Sequence, residues 1–201
     1  MFKTDQAIVS AYGRADSVRF GHVLKFVLAT IRMPLADVIP NMPKVLAGDR
    51  TRCIFGAKHD GLAYIDANHA ALYAMCEMDM RSSMTVLEAE NSIVHTLSEI
   101  PGLGAVKAGF AAQLLYGISG CLDSHNMVRF GIDKRKFRLW GLKNPVRKAA
   151  IINAYNSVCR ALGGTEYLWD SWCEHLAKVD FGRYDSAEMV SRLHTAWLPK
   201  E

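Results

Sequence analysis

The sequence contains no apolar run approaching the roughly 18 residues that a membrane-spanning helix needs, so it holds no helical span, and no membrane partner is expected. Its first residues, MFKTDQAIVSAYGRAD, carry early charges and no apolar block, so no secretory leader is expected. The five cysteines (Cys53, Cys76, Cys121, Cys159 and Cys173) are odd in number and contain no C-x-x-C pair. That argues against a disulfide framework or a zinc site and for reduced thiols in a cytoplasmic protein; no metal or cofactor is expected. Internal repeats and low-complexity tracts are also absent. At 201 residues the chain is read as a single domain, residues 1–201, large enough to bury a core.

Acidic residues are scarce in one place. Between residues 101 and 148 nine Lys and Arg stand against only Asp123 and Asp133, a local charge of +7 on a chain whose total is +4. A cationic block on an otherwise slightly acidic protein points to a polyanion partner. Its plain alternative is a solvated charged face.

Nearly every other segment carries a helical period. TDQAIVSAYG runs from a capping Thr4 to Gly13, and DSVRFGHVLKFVLATIRMP stops before Pro34. DANHAALYAMCEMDM reads as helix, and in SSMTVLEAENSIVHTLSEI the residues Val86, Ile93, Leu97 and Ile100 share a face. NPVRKAAIINAYNSVCRALGG has Asn144 as N-cap, Pro145 at the first position, Gly163 as stop and a stripe of Ile151, Tyr155, Val158 and Leu162. TEYLWDSWCEHLAKV follows, with Trp169, Trp172 and Leu176 on one stripe, then DSAEMVSRLHTAWL with a capping box of Asp185 and Glu188. Residues 34–65, with Pro34, Pro40 and Pro43 close together, are open between short strands and a long loop. The expected fold class is all-α.

Between two of these helices lies SEIPGLGAVKAGFAAQLLYGISGCLDSHNMVRF, residues 98–130. Residues 86–116 read as helix, tight turn, helix. Gly102 and Gly104 permit a sharp turn and a close approach to the backbone. The amides that follow belong to a helix N-terminus, which favours an anion, and Lys107 adds charge in its first turn. A nucleic-acid phosphate fits such a place and would position the protein without reading sequence.

The run Ile100-Pro101-Gly102-Leu103-Gly104 resembles the helix-hairpin-helix motif. With Leu122, Asp123, Ser124, His125 and Arg129 downstream, residues 86–130 resemble the helix-hairpin-helix DNA glycosylase superfamily, in which an aspartate heads the helix after the hairpin. The resemblance implies a helical domain of that type, with the hairpin at about 86–116 and the aspartate segment at about 121–130. It implies a DNA phosphate held around Ile100, Gly102, Leu103, Gly104, Val106 and Lys107. Asp123 would face a pocket for a nucleotide flipped from the duplex, as a base or as a stabiliser of positive charge. The lyases of the superfamily carry a nucleophilic lysine where this chain has Val106. Lys107 lies one residue on, rotated by roughly 100°, so lyase activity is not expected. The four-cysteine iron–sulfur cluster of some relatives is absent as well.

The pattern looks closest to glycosylase-derived enzymes of bacteriophages that hypermodify thymine, the amino-acid:DNA transferases and the α-glutamyl/putrescinyl-thymine pyrophosphorylases. These displace pyrophosphate from 5-pyrophosphoryloxymethyl-uracil in DNA with an amino acid or amine. The partners implied are DNA and a small amine, in the cytoplasm of a host cell. Asp123 would deprotonate the amine, and Arg129 or the cluster Lys134, Arg135, Lys136 and Arg138 would meet the leaving group. Alternatives are a monofunctional N-glycosylase and a non-catalytic helix-hairpin-helix DNA-binding module. Several residues keep two readings. Asp123 also suits a plain helix cap. His125 and Asn126 suit a pocket, His125 equally a structural hydrogen bond. Gln113 suits a base edge or, better, solvent. Phe137 and Trp140 among the cations suit a strand-gripping loop or two buried aromatics. Cys173 and His175 lack a second ligand pair, and His59, Asp60 and Asp66 sit in the irregular region as an unsupported substrate loop.

Overall fold

The computed structural model describes residues 2–49, 51–82, 85–181, 190, 192–193 and 195–199. Among these residues all regular structure is helical: α1 (Phe2–Gly13), α2 (Ser17–Ala29), α3 (Leu35–Ala47), α4 (Lys58–Arg81), α5 (Val86–Ser98), α6 (Gly104–Tyr116), α7 (Ser124–Arg129), a 3-10 turn (Lys134–Phe137), α8 (Pro145–Ala161) and α9 (Gly164–Phe181). Thr4 lies inside α1 rather than at its cap. The capping box expected at Asp185 and Glu188 falls outside the described residues.

The local signals explain most boundaries. Asp16 caps α2 through the Arg19 amide at 2.8 Å, Thr85 and Glu88 form a reciprocal capping box on α5, and Asn144 caps α8 with Pro145 behind it. Gly48 and Gly117 close α3 and α6 in the left-handed conformation.

Two helices form the middle. On α2, Phe20, Val23, Leu24, Phe26, Val27 and Leu28 are all buried; α1, α3, α4 and α6 pack around it. α6 is buried from Ala108 through Tyr116, as expected for a helix apolar all round. Its small residues let α8 come close: a Cβ on Gly109 would stand 2.5 Å from the Tyr155 ring. The buried Tyr155 hydroxyl donates to the Gly120 carbonyl at 2.6 Å and accepts from the Leu122 amide at 3.3 Å. It thereby fixes the segment that leads into α7.

Two stripes differ from the sequence reading. Val86 is exposed at the open end of α5, and the buried line on that helix is Ala89, Ile93, Val94 and Leu97. On α8 the buried residues are Ile152, Tyr155, Asn156 and Cys159, about one residue round from the expected stripe. Residues 34–65 are neither strands nor a long loop. Pro40 and Pro43 lie inside α3 on its solvent face, while Leu35, Val38, Met42 and Val45 are buried. Burying four such side chains contributes about 1.5–3 kcal/mol each, against about 3 kcal/mol for each interior proline. The stripe matches that cost at its lower bound and exceeds it above.

All five cysteines are free and buried. Burial pushes their thiols upward, Cys76 and Cys159 to about 12, with Cys53, Cys121 and Cys173 also raised. The unfolded thiols ionise near pH 9, so the stability they contribute is whole below that pH and is lost as the pH climbs towards 12. Lys58 acts in the opposite sense. Burial, reinforced by Lys107 and Arg32 and opposed by Cys53, lowers its amine to about 8, so the stability it contributes grows as the pH rises from about 8 to 10.5 and is whole above that. Five thiols outweigh one amine. The melting temperature is expected to fall steadily above pH 9; a flat profile from pH 7 to 11 would contradict this.

Candidate functional site

The turn between α5 and α6 is pinned by two buried side chains, Ile100 and Leu103, and by the Leu103 amide donating to the Ile100 carbonyl at 3.0 Å. Gly102 and Gly104 take φ of +89° and +47°, a conformation that other residues enter at a cost of about 1–2 kcal/mol. Their amides have no backbone acceptor among the described residues, and Gly102 is exposed. The hairpin rests on α4 through Gly61, where a Cβ would stand 2.4 Å from the Pro101 carbonyl oxygen. Gly61→Ala is therefore expected to lift the hairpin, destabilising the fold by about 1–3 kcal/mol. A denaturant melt checks the effect.

Beside the hairpin runs a groove of about 690 Å³, walled by residues 98–106 on one side and by Lys134, Arg135, Phe137, Arg138, Leu139, Trp140 and Lys148 on the other. Asp133 caps the 3-10 turn and pairs with Arg135 at 2.9 Å, and Lys148 pairs with Glu99. Lys134 and Arg138 have no carboxylate partner among the described residues. Lys136 is exposed but does not line the groove. Phe137 is buried edge-on to Tyr155, with ring centres 5.2 Å apart, whereas Trp140 is 83% exposed.

A second cavity, of about 400 Å³, lies where the α2–α3 loop, α6, α7 and α9 meet. Asp123, Lys107, Arg32, His125, His175 and Trp172 line it. Asp123 caps α7, its Oδ1 accepting from the His125 and Asn126 amides at 3.0 Å each; its Oδ2 has no partner among the described residues. The His125 and His175 rings stack 3.8 Å apart. Despite its rotation relative to Val106, Lys107 reaches this cavity, and its Nζ donates to Thr30 Oγ1 at 3.3 Å. Val106 and Arg32 line both cavities. Arg32 is exposed and holds φ +55°, a strained conformation for a residue with a side chain.

Several expected site residues stand elsewhere. Gln113 is fully buried, neither solvent-exposed nor at a base edge, and its Nε2 donates to the Thr165 carbonyl at 2.8 Å. Asn126 is buried and structural, donating to the Cys121 carbonyl at 2.7 Å and accepting from Ser171. Arg129 ties α7 to α9 through Ser171 at 2.8 Å and Glu174 at 3.4 Å, and lines neither cavity. His59, Asp60 and Asp66 lie along α4, where Asp66 pairs with Lys25 at 2.6 Å. Sequence reasoning missed Arg32 and Trp172 as pocket residues and met His175 only as half of a metal pair. The stop at Pro34 marks a loop near Arg32, but no local signal tells that the loop faces Asp123. No group of three side chains able to hold a metal ion occurs among the described residues.

Thr30, Arg32 and Lys107 bring two cations and a hydroxyl into the smaller cavity, which the carboxylate of Asp123 also lines. Compared with family models, with curated proteins and with solved structures, the sequence gives no significant match.

Proposed function

We propose that the chain is a DNA-binding, base-flipping enzyme with the helical architecture of helix-hairpin-helix glycosylases. It transfers an amino acid or amine to 5-pyrophosphoryloxymethyl-uracil with loss of pyrophosphate. The observation that carries this reading is the meeting of one carboxylate, Asp123, with two cations, Arg32 and Lys107, in a cavity next to the hairpin groove. A pocket for an uncharged base has no need of two cations, whereas a pyrophosphoryl substituent does.

In this mechanism the hairpin amides and Lys134 and Arg138 hold the DNA backbone, and the target nucleotide turns into the smaller cavity. The amine nitrogen forms a bond to the 5-methylene carbon as the carbon–oxygen bond to pyrophosphate breaks. The electron pair leaves with the pyrophosphate oxygen, neutralised by Arg32 and Lys107 in place of the Arg129 or the Lys134, Arg135, Lys136 and Arg138 cluster expected from the sequence. Asp123 takes the proton from the amine, and the glycosidic bond stays intact. The His125–His175 stack offers a flat wall for the pyrimidine.

Nucleoside mass spectrometry of DNA carrying 5-pyrophosphoryloxymethyl-uracil, incubated with the protein and a pool of amino acids and polyamines, tests the proposal. An adducted nucleoside is expected. Release of free base from modified DNA would overturn it in favour of a second reading, which the entry of Lys107 into the Asp123 cavity favours. There a lysine amine could form an imine with the sugar, trapped by borohydride as a covalent protein–DNA adduct. Binding with no chemistry on any base would leave a DNA-binding module.

A further inference from the structure

Within the sequence KFRLWG, side chains alternate between core and solvent. Phe137 and Leu139 are buried, while Arg138 and Trp140 point outward. The two anchors hold the segment, so the exposure of Trp140 is imposed by the backbone around it. An indole left 83% exposed forgoes the burial that aromatic side chains normally supply. The other tryptophans, Trp169, Trp172 and Trp197, are all buried. The Arg138 guanidinium lies over the Trp140 ring, 5.2 Å from its centre, and Lys134 lines the same groove.

Phosphate contacts alone require cations and amides, which the groove already has. A flat π surface beside them adds a second kind of recognition, towards a base whose face is open because it is unpaired. We infer that Trp140 is a stacking platform for an unpaired DNA base, with the flanking phosphates on Lys134 and Arg138. This inference rests on the DNA-binding reading, but is independent of which reaction occurs in the Asp123 cavity.

Two measurements separate the inference from that reading. Fluorescence anisotropy reports binding of labelled 12-mers: single-stranded oligothymidylate, the same backbone with abasic tetrahydrofuran units, and a blunt duplex. Tryptophan emission reports stacking, because Trp140 is the exposed emitter among the described tryptophans. Oligothymidylate is expected to bind and quench, and the abasic strand to bind more weakly without quenching. Trp140→Ala should weaken oligothymidylate binding about 5- to 150-fold and leave the abasic strand unaffected, while Trp140→Phe retains most of the affinity. Equal affinity for the two single strands, or equal losses on both in Trp140→Ala, would overturn the stacking role while leaving DNA binding intact. Failure of all three probes to bind at low salt would overturn both together.

Discussion

Asp123→Asn is expected to lower turnover on 5-pyrophosphoryloxymethyl-uracil DNA by about 10²- to 10⁴-fold, the usual contribution of a positioned general base, with duplex affinity unchanged. The choice of asparagine matters because Asp123 has a structural duty as well: its Oδ1 accepts the His125 and Asn126 amides at the head of α7. Asparagine caps a helix about as well as aspartate, so its carbonyl oxygen keeps that duty while the basic carboxylate is lost. Asp123→Ala removes both and should also cost about 1 kcal/mol of stability. If Asp123→Asn turned over at the wild-type rate while Asp123→Ala melted earlier, the residue would be a cap and nothing more. Unchanged affinity alongside lost turnover places its role in the chemical step, since a residue that merely held the DNA would shift both.

Arg32→Gly should move stability and activity in opposite directions. At φ +55° a residue with a Cβ is strained by about 1–2 kcal/mol, and glycine is not. The variant should melt at the same temperature as the wild type or slightly above it. Its turnover should fall about 10²- to 10³-fold, as when one donor is removed from a developing anion, because Arg32 is one of the two cations in the Asp123 cavity. A substitution that damaged the fold would lower both quantities. One that touched nothing functional would raise stability and leave turnover alone, which would remove Arg32 from the mechanism.

The parts of this molecule that could be read from sequence are those decided within a few residues. The Asn144–Pro145 start of α8, the hairpin glycines and the Asp123 head of α7 are local events, each settled by a capping side chain or a backbone conformation. The helical class followed from the apolar period alone. The helix around Pro40 and Pro43 is not legible in sequence because breakers act locally, whereas the stripe that overrides them is worth its energy only once α2 is packed beneath it. The smaller cavity shows the same division. Asp123 and His125 were legible from one stretch, but Arg32, Trp172 and His175 reach it from the α2–α3 loop and α9. Gln113 looked like a polar residue available to a ligand because its partner, the Thr165 carbonyl, lies 52 positions away.

One rigid helix serves both cavities. Gly104 opens α6 in the groove, and Lys107 stands in the smaller cavity three residues later. Along a helix axis that interval is about 4.5 Å, set by the helical rise. In the proposed mechanism the first turn of α6 is thus a ruler between the place that would grip the strand and the place that would meet its substituent. An insertion in the loops on either side would leave that measure intact. One extra residue between Gly104 and Lys107 would put grip and pocket out of register, even though every group named above were still present.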